Sequence, residues 1–209
     1  LLDIFMLDMR SYRDSTFNKR DDQSEACILG AAQLAWLKRE LVASDATWKV
    51  IAADMPIGLF SEDGIALGDG PPERREHEIA DLLSFMKRAG IRNTVWLTAD
   101  MHYTAAHHYD PNRAAFQDFE PFWEFVSGPL HAGTWAPAPL DNTFGPKAMF
   151  QKGCDGENLA PCFGMQFFGR VDIDGKTEVM TVTLKDVDNR DLWSVDIDPR
   201  PDARPGQIM

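Results

Sequence analysis

The stretch IRNTVWLTADMHYTAAHHY, Ile91 to Tyr109, decides how the chain is read. Its run Thr94-Val95-Trp96-Leu97-Thr98 predicts a buried strand, because branched and aromatic side chains fit a pleated, packed surface. Ala99-Asp100-Met101-His102 follows at once. In extended chain, residues two apart point to the same side, so Asp100 and His102 are expected to converge at the mouth of the strand. A carboxylate oxygen beside an imidazole nitrogen suits iron, manganese or zinc. A strand end that meets water also wants polar residues, so Asp-x-His by itself leaves both readings open.

Upstream, Ile79, Leu82, Leu83 and Met86 recur at helical spacing and predict a helix over Glu76–Ala89, with Lys87 and Arg88 in its last turn and Gly90 stopping it. WKVIAA, Trp48 to Ala53, reads as a strand that ends before Pro56, which cannot donate to a ladder. Leu34, Leu37 and Leu41 predict an amphipathic helix over Leu29–Val42, and Asp3 to Leu7 is a short apolar strand. The order strand, helix, strand, helix, strand implies a layered α/β fold with partly parallel strands. Each of these strands delivers a carboxylate at its C-terminal end, Asp8, Asp54 and Asp100. In open α/β sheets that rim is where ligands bind.

The remaining segments are plainer. Residues 14–25 are charged and read as a surface loop, and residues 57–75, rich in Gly, Pro and charge, read as an irregular excursion. Phe122 to Ser127 is a further strand, and Thr134 to Ala160 has no sustained period and is expected to be a long covering loop. Gln166–Ile173, Thr177–Lys185 and Leu192–Ile197, joined by Asp174-Gly175 and Asp188-Asn189, predict an antiparallel meander. Residues 1–198 are thus read as part of one domain, and 199–209, with three prolines after Asp198, as an extended or disordered tail.

With 209 residues, 44% of them hydrophobic, the chain is long enough for one substantial core. Its net charge of −12 lacks the basic footprint of a nucleic-acid binder, and no apolar run approaches the ~20 residues of a membrane span. A small phosphorylated substrate is compatible with that charge where metal ions offset it. The opening Leu1-Leu2-Asp3-Ile4-Phe5 has no initiator methionine and reads as the inside of a strand, so the expectation is a trimmed piece of a longer protein. Three cysteines, Cys27, Cys154 and Cys162, are too few for a disulfide scaffold, although Cys154 and Cys162 share a loop in which a local bridge or two free thiols are both open.

Other chemistry has less support. His107 and His108 are expected to face solvent, since His102 and His107 lack the spacing of four that two ligands on one helix face require. His131 lies in a glycine-bounded turn and is a weak candidate proton donor, and His77 starts a helix, exposed. The pairs Asp172/Asp174 and Asp186/Asp188 lack the other ligands of a calcium loop and read as turns. There is no Gly-x-Ser-x-Gly and no phosphate-cradling Gly-rich loop with lysine. Arg10 and Arg13 are candidate phosphate clamps because a guanidinium grips two oxygens at once, with ion pairs to Asp8 or Asp14 as the structural alternative.

Four segments in order, Leu7 to Arg13 (LDMRSYR), Leu29 to Leu37 (LGAAQLAWL), Trp48 to Ile51 (WKVI) and Trp96 to His102 (WLTADMH), resemble the alkaline phosphatase D (PhoD-like) metallophosphatase family. The resemblance covers most of the chain and corresponds to the C-terminal half of the family's catalytic domain. It implies a calcineurin-like β-sandwich flanked by helices, with a multinuclear metal centre where the strands end. It also implies phosphomonoesterase or phosphodiesterase chemistry by attack of a metal-bound hydroxide, with iron and calcium or related divalent ions such as manganese or zinc. Members are typically exported, hence periplasmic or secreted. By the Asp-x-His match, Asp100 and His102 are implied as metal ligands and catalytic residues, and Arg10 is the candidate for holding the phosphate. The family usually reads Gly-Asp-Val-His where this chain has Ala99-Asp100-Met101-His102, which leaves the ligand types intact. The family's first metal motifs belong upstream of the Leu7-Asp8 strand. The implied site therefore needs a missing N-terminal half, the alternative being an inert or docking half-domain.

Overall fold

The computed structural model of the chain describes residues 1–14, 26–61 and 64–201. The expected surface loop falls largely on residues 15–25, and most of the expected tail on 202–209, outside the described residues. Strands β1 (Leu2–Met6), β2 (Trp48–Ala52), β3 (Thr94–Thr98), β4 (Thr104–Tyr109), β5 (Phe122–Val126) and β6 (Pro146–Lys152) form a six-stranded sheet in the order β1-β2-β3-β5-β4-β6. The pairs β1/β2, β2/β3 and β3/β5 are parallel, while β4 runs antiparallel to both β5 and β6. Helices α1 (Ala31–Ala43) and α2 (Glu76–Arg88) make the crossovers from β1 to β2 and from β2 to β3. The expected meander is a separate antiparallel sheet of β7 (Phe167–Ile173), β8 (Met180–Asp186) and β9 (Asp191–Ile197).

Period-two alternation gives the large sheet two buried faces. Trp48, Val50, Val95 and Phe125 pack on Met180, Val182 and Leu184 of the meander. Ile51, Trp96 and Phe122 face the other way, onto Leu37, Leu41, Leu82 and Leu83 of the helices. The result is a mixed α/β fold of three layers: helices, a mostly parallel sheet and an antiparallel sheet. Burial on both faces explains why β2 and β3 read as continuous apolar runs. On the edge strand β1, by contrast, Leu2, Ile4 and Met6 stay exposed.

Two strands depart from the sequence expectation. Thr104–Tyr109 is an interior strand, so His107, expected in solvent, is fully buried. His108 points to the opposite face and is partly buried, its ring 4.9 Å from that of Trp123. Inside the expected covering loop lies β6, whose alternating exposed Lys147, Met149 and Gln151 mark it as the sheet's edge. Its leading proline and charges are what an edge strand tolerates, and they mask the strand signal.

The connection after β2 is held by carboxylates. Glu76 accepts from the backbone N–H of Leu67 and Glu73, and Asp141 accepts from Gly68 and Thr143. Burial pushes Glu76 from 4.5 up to about 7, with Asp141 adding repulsion and the two N–H donors opposing. The folded state thus binds this proton more tightly than the unfolded chain does. The resulting stability is fully present below pH 4.5 and is lost as pH rises through about 7. Urea denaturation of Glu76→Gln should show this slope removed, flattening stability over that window by on the order of 2–3 kcal/mol relative to the wild type. An unaltered slope would refute the assignment.

Candidate functional site

Asp8, Asp54 and Asp100 follow three adjacent parallel strands, as the sequence predicts, but they are used differently. Asp8 folds back on its own turn. Its Oδ1 accepts from the backbone N–H of Arg10 at 2.9 Å and of Ser11 at 2.7 Å, and these bonds, Ser11 first, hold its carboxyl below the usual range. Asp8 is therefore a turn cap, which places the Arg10 backbone. Gln33 on α1 braces that turn through the backbone N–H and C=O of Asp8, at 2.8 and 3.0 Å. The start of α1 is itself fixed by Glu78 of α2, whose carboxylate accepts from Ile28, Leu29 and Gly30 N–H.

From the β1 turn, Arg10 reaches across two strands. Its Nε lies 3.2 Å from Asp54 Oδ2, and a terminal nitrogen donates to Asp100 Oδ1 at 2.8 Å. Asp54 is anchored from its other oxygen, which accepts from Met9 N–H at 3.1 Å. The two ion pairs hold the carboxylates on either side of one guanidinium. Half of the Arg10 side chain remains exposed, which leaves it accessible to an anion.

Asp100 and His102 do converge on one cleft, though not by strand geometry. The strand stops at Thr98, and both residues take left-handed backbone, φ 64° and 58°. Such backbone is uncommon for residues other than glycine, is enriched among Asp and His, and concentrates at functional sites. His102 Nδ1 lies 2.6 Å from Gly133 O. A carbonyl only accepts, so Nδ1 carries the proton and a neutral ring keeps its lone pair on Nε2. A Cβ at Gly133 would meet Asn158 Oδ1 at 2.0 Å, so the Asn158 side chain would have to move aside for any larger residue there.

Arg10, Asp100 and His102 line an open cleft of about 820 Å³. Its other wall is apolar and includes Trp135, Pro137 and Pro139. His131 and His77 are exposed and outside this lining. Asp174 caps its own hairpin through Lys176 and Thr177 N–H, and Asp186 accepts from Arg190 N–H, as expected of turns. Cys27, Cys154 and Cys162 are free thiols. Among the described residues, no three His, Cys, Asp or Glu side chains are grouped to hold a metal. Nor is any helix among them long and apolar enough to cross a membrane.

The cleft lies outside the C-terminal ends of parallel strands, the rim at which α/β folds commonly hold ligands. More specifically, the chain belongs to the PhoD-like phosphatase family, whose model matches residues 1–184. A solved structure described as "Structure of PhoD" is similar in fold, with a TM-score of 0.51 and 20% identity, over 93% of this chain and 42% of that one. The chain thus spans less than half the length of that structure. No curated protein matches the sequence.

Proposed function

We propose that the complete protein carrying this chain hydrolyses phosphate monoesters or diesters, and that Asp100 and His102 are two donors of a metal centre completed by residues outside 1–209. The observation that carries this reading is the orientation of His102, whose Nδ1–H is committed to Gly133 O and whose Nε2 is left to bind. That is how metal-ligating histidines are held, with the second nitrogen donating to a carbonyl or carboxylate. The carboxylate of Asp100 supplies the hard oxygen that iron, calcium, manganese or zinc accepts beside a nitrogen. Metals bound there would acidify a water and offset phosphoryl charge. Arg10 receives a phosphoryl oxygen, kept in place by Asp54 and Asp100. Export to the periplasm or the exterior belongs to the same proposal.

A second reading applies to this polypeptide alone. The 42% coverage of the similar structure and the exposed Leu2, Ile4 and Met6 on edge strand β1 favour a half that is inert until it docks with the segment carrying the other donors. Metal content and release of phosphate or phenol from aryl phosphate mono- and diesters separate the two. The complete protein is expected to bind metal and turn over, with loss on chelation and recovery on adding divalent ions. The 209-residue chain is expected to do neither. Turnover by the chain alone would remove the docking reading, and metal-independent turnover by the complete protein would remove the first.

A further inference from the structure

Beside Arg10, Asp100 and His102 the cleft is lined by Trp135, Pro137 and Pro139, apolar residues that the hydrolytic reading leaves unused. Trp135 is 41% exposed despite its size, and its ring lies 6.2 Å from that of His102 with the planes 73° apart. Its backbone is tied into the site. Trp135 N–H donates to His102 O at 2.9 Å, and Cys154 N–H donates to Trp135 O at 3.3 Å. Gly153 lets this strand of chain approach, since a Cβ there would meet Trp135 O at 2.2 Å. The wall beyond it is equally fixed: Ala136 N–H donates to Gly156 O, Phe60 N–H donates to Pro139 O, and Ala138 packs on a small core of Leu59, Tyr103, Ala105 and Val126.

A solvent-facing indole on a backbone held in this way, beside two prolines, offers apolar surface, and an aromatic face binds planar groups whatever their substituents. Charge narrows the class. Arg10 is the only arginine or lysine among the described residues lining the cleft, and it lies with Asp100 and His102, whereas the Trp135 side carries Glu157. A second anionic group is disfavoured there. The open cleft, about 820 Å³, has space for an organic group beside a phosphate.

We infer that Trp135, Pro137 and Pro139 form a subsite for a planar, non-anionic aromatic group esterified to the phosphate that Arg10 receives. The subsite sets substrate preference and leaves the bond-breaking chemistry to the polar residues. This inference rests on the phosphoester reading. Its test compares kcat/KM of the complete protein for phenyl phosphate and for methyl phosphate in the wild type, Trp135→Ala and Trp135→Phe. The aryl-to-alkyl ratio should fall about tenfold in Trp135→Ala, mostly through KM, and stay within about twofold of wild type in Trp135→Phe, as stacking of one ring predicts. An unchanged ratio in Trp135→Ala, whether both substrates lose equally or neither does, would overturn the subsite. If the wild type cleaves neither these monoesters nor the corresponding phenyl and methyl diesters, the hydrolytic reading fails and calorimetry decides the subsite. Tighter wild-type binding of phenylphosphonate than of methylphosphonate, abolished in Trp135→Ala, supports it, and equal binding of the two overturns it.

Discussion

Replacing His102 by alanine in the complete protein is expected to lower kcat/KM on an aryl phosphate by on the order of 10³-fold, with stoichiometric metal lost in parallel. The size of the effect follows from how the side chain is held. Its Nδ1–H is spent on Gly133 O and its backbone is in the left-handed region, so the surrounding structure maintains this residue in one orientation. Asp100→Asn is the complementary change, similar in shape but without the charge. It should remove metal and activity to a like extent and also leave Arg10 with a weaker partner, since the 2.8 Å contact is then no longer an ion pair. Elemental analysis alongside kinetics separates the two roles. Both side chains are about the rim and outside the buried core, so thermal unfolding of either metal-free variant should match that of the metal-free wild type to within a few degrees. Full turnover with either substitution would sink the assignment of Asp100 and His102 to the site.

How far the sequence could carry this reading depends on the distance over which each signal acts. Strand β3 and helix α2 are legible because their own side chains announce them: Thr94 to Thr98 by β-formers, and Ile79, Leu82, Leu83 and Met86 by spacing. The rim aspartates are legible as residue types at strand ends, and Asp54 and Asp100 do flank one cation. Asp8 is not separable from them in sequence, because its diversion to a turn cap depends on Arg10 and Ser11 folding back over it. Extended geometry predicts the convergence of Asp100 and His102, and two left-handed residues bring it about instead. The sequence signal was a strand ending, and the turn that follows has no glycine to reveal it. Least legible are the carboxylates that work at long range. Glu78 meets Ile28, Leu29 and Gly30 from 48 to 50 positions away, and Glu124 meets Ile57 from 67 away. Nothing in the local pattern of FWEFV distinguishes Glu124 from the polar outer position of a half-exposed strand.

Glu124→Ala is expected to destabilise the fold by roughly 3–5 kcal/mol, because it removes the shared acceptor of several buried donors and opens a cavity. Glu124 sits on β5 with no exposed surface. Its Oε1 accepts from Ile57 N–H at 2.8 Å, and its Oε2 accepts from the Tyr109 hydroxyl at 2.7 Å and lies 3.3 Å from His107 Nδ1. The Tyr109 oxygen in turn accepts from Gly58 N–H at 2.9 Å. Alanine would strand these donors in the core and open a cavity between β4 and the segment that follows Asp54. Tyr109→Phe provides the scale. It keeps the ring stacked 4.5 Å from Phe122 but leaves Gly58 N–H and one carboxylate oxygen each short of a partner, so a smaller loss of about 1–3 kcal/mol follows. The double variant should lose less than the sum, because both changes dismantle one network. Urea denaturation measures all three, and a loss below about 1 kcal/mol for Glu124→Ala would refute the network's role. Position makes this more than a stability argument. Residues 57 and 58 lie three and four beyond Asp54, so the carboxylate buried under the sheet also holds the chain that presents one side of the Arg10 bridge.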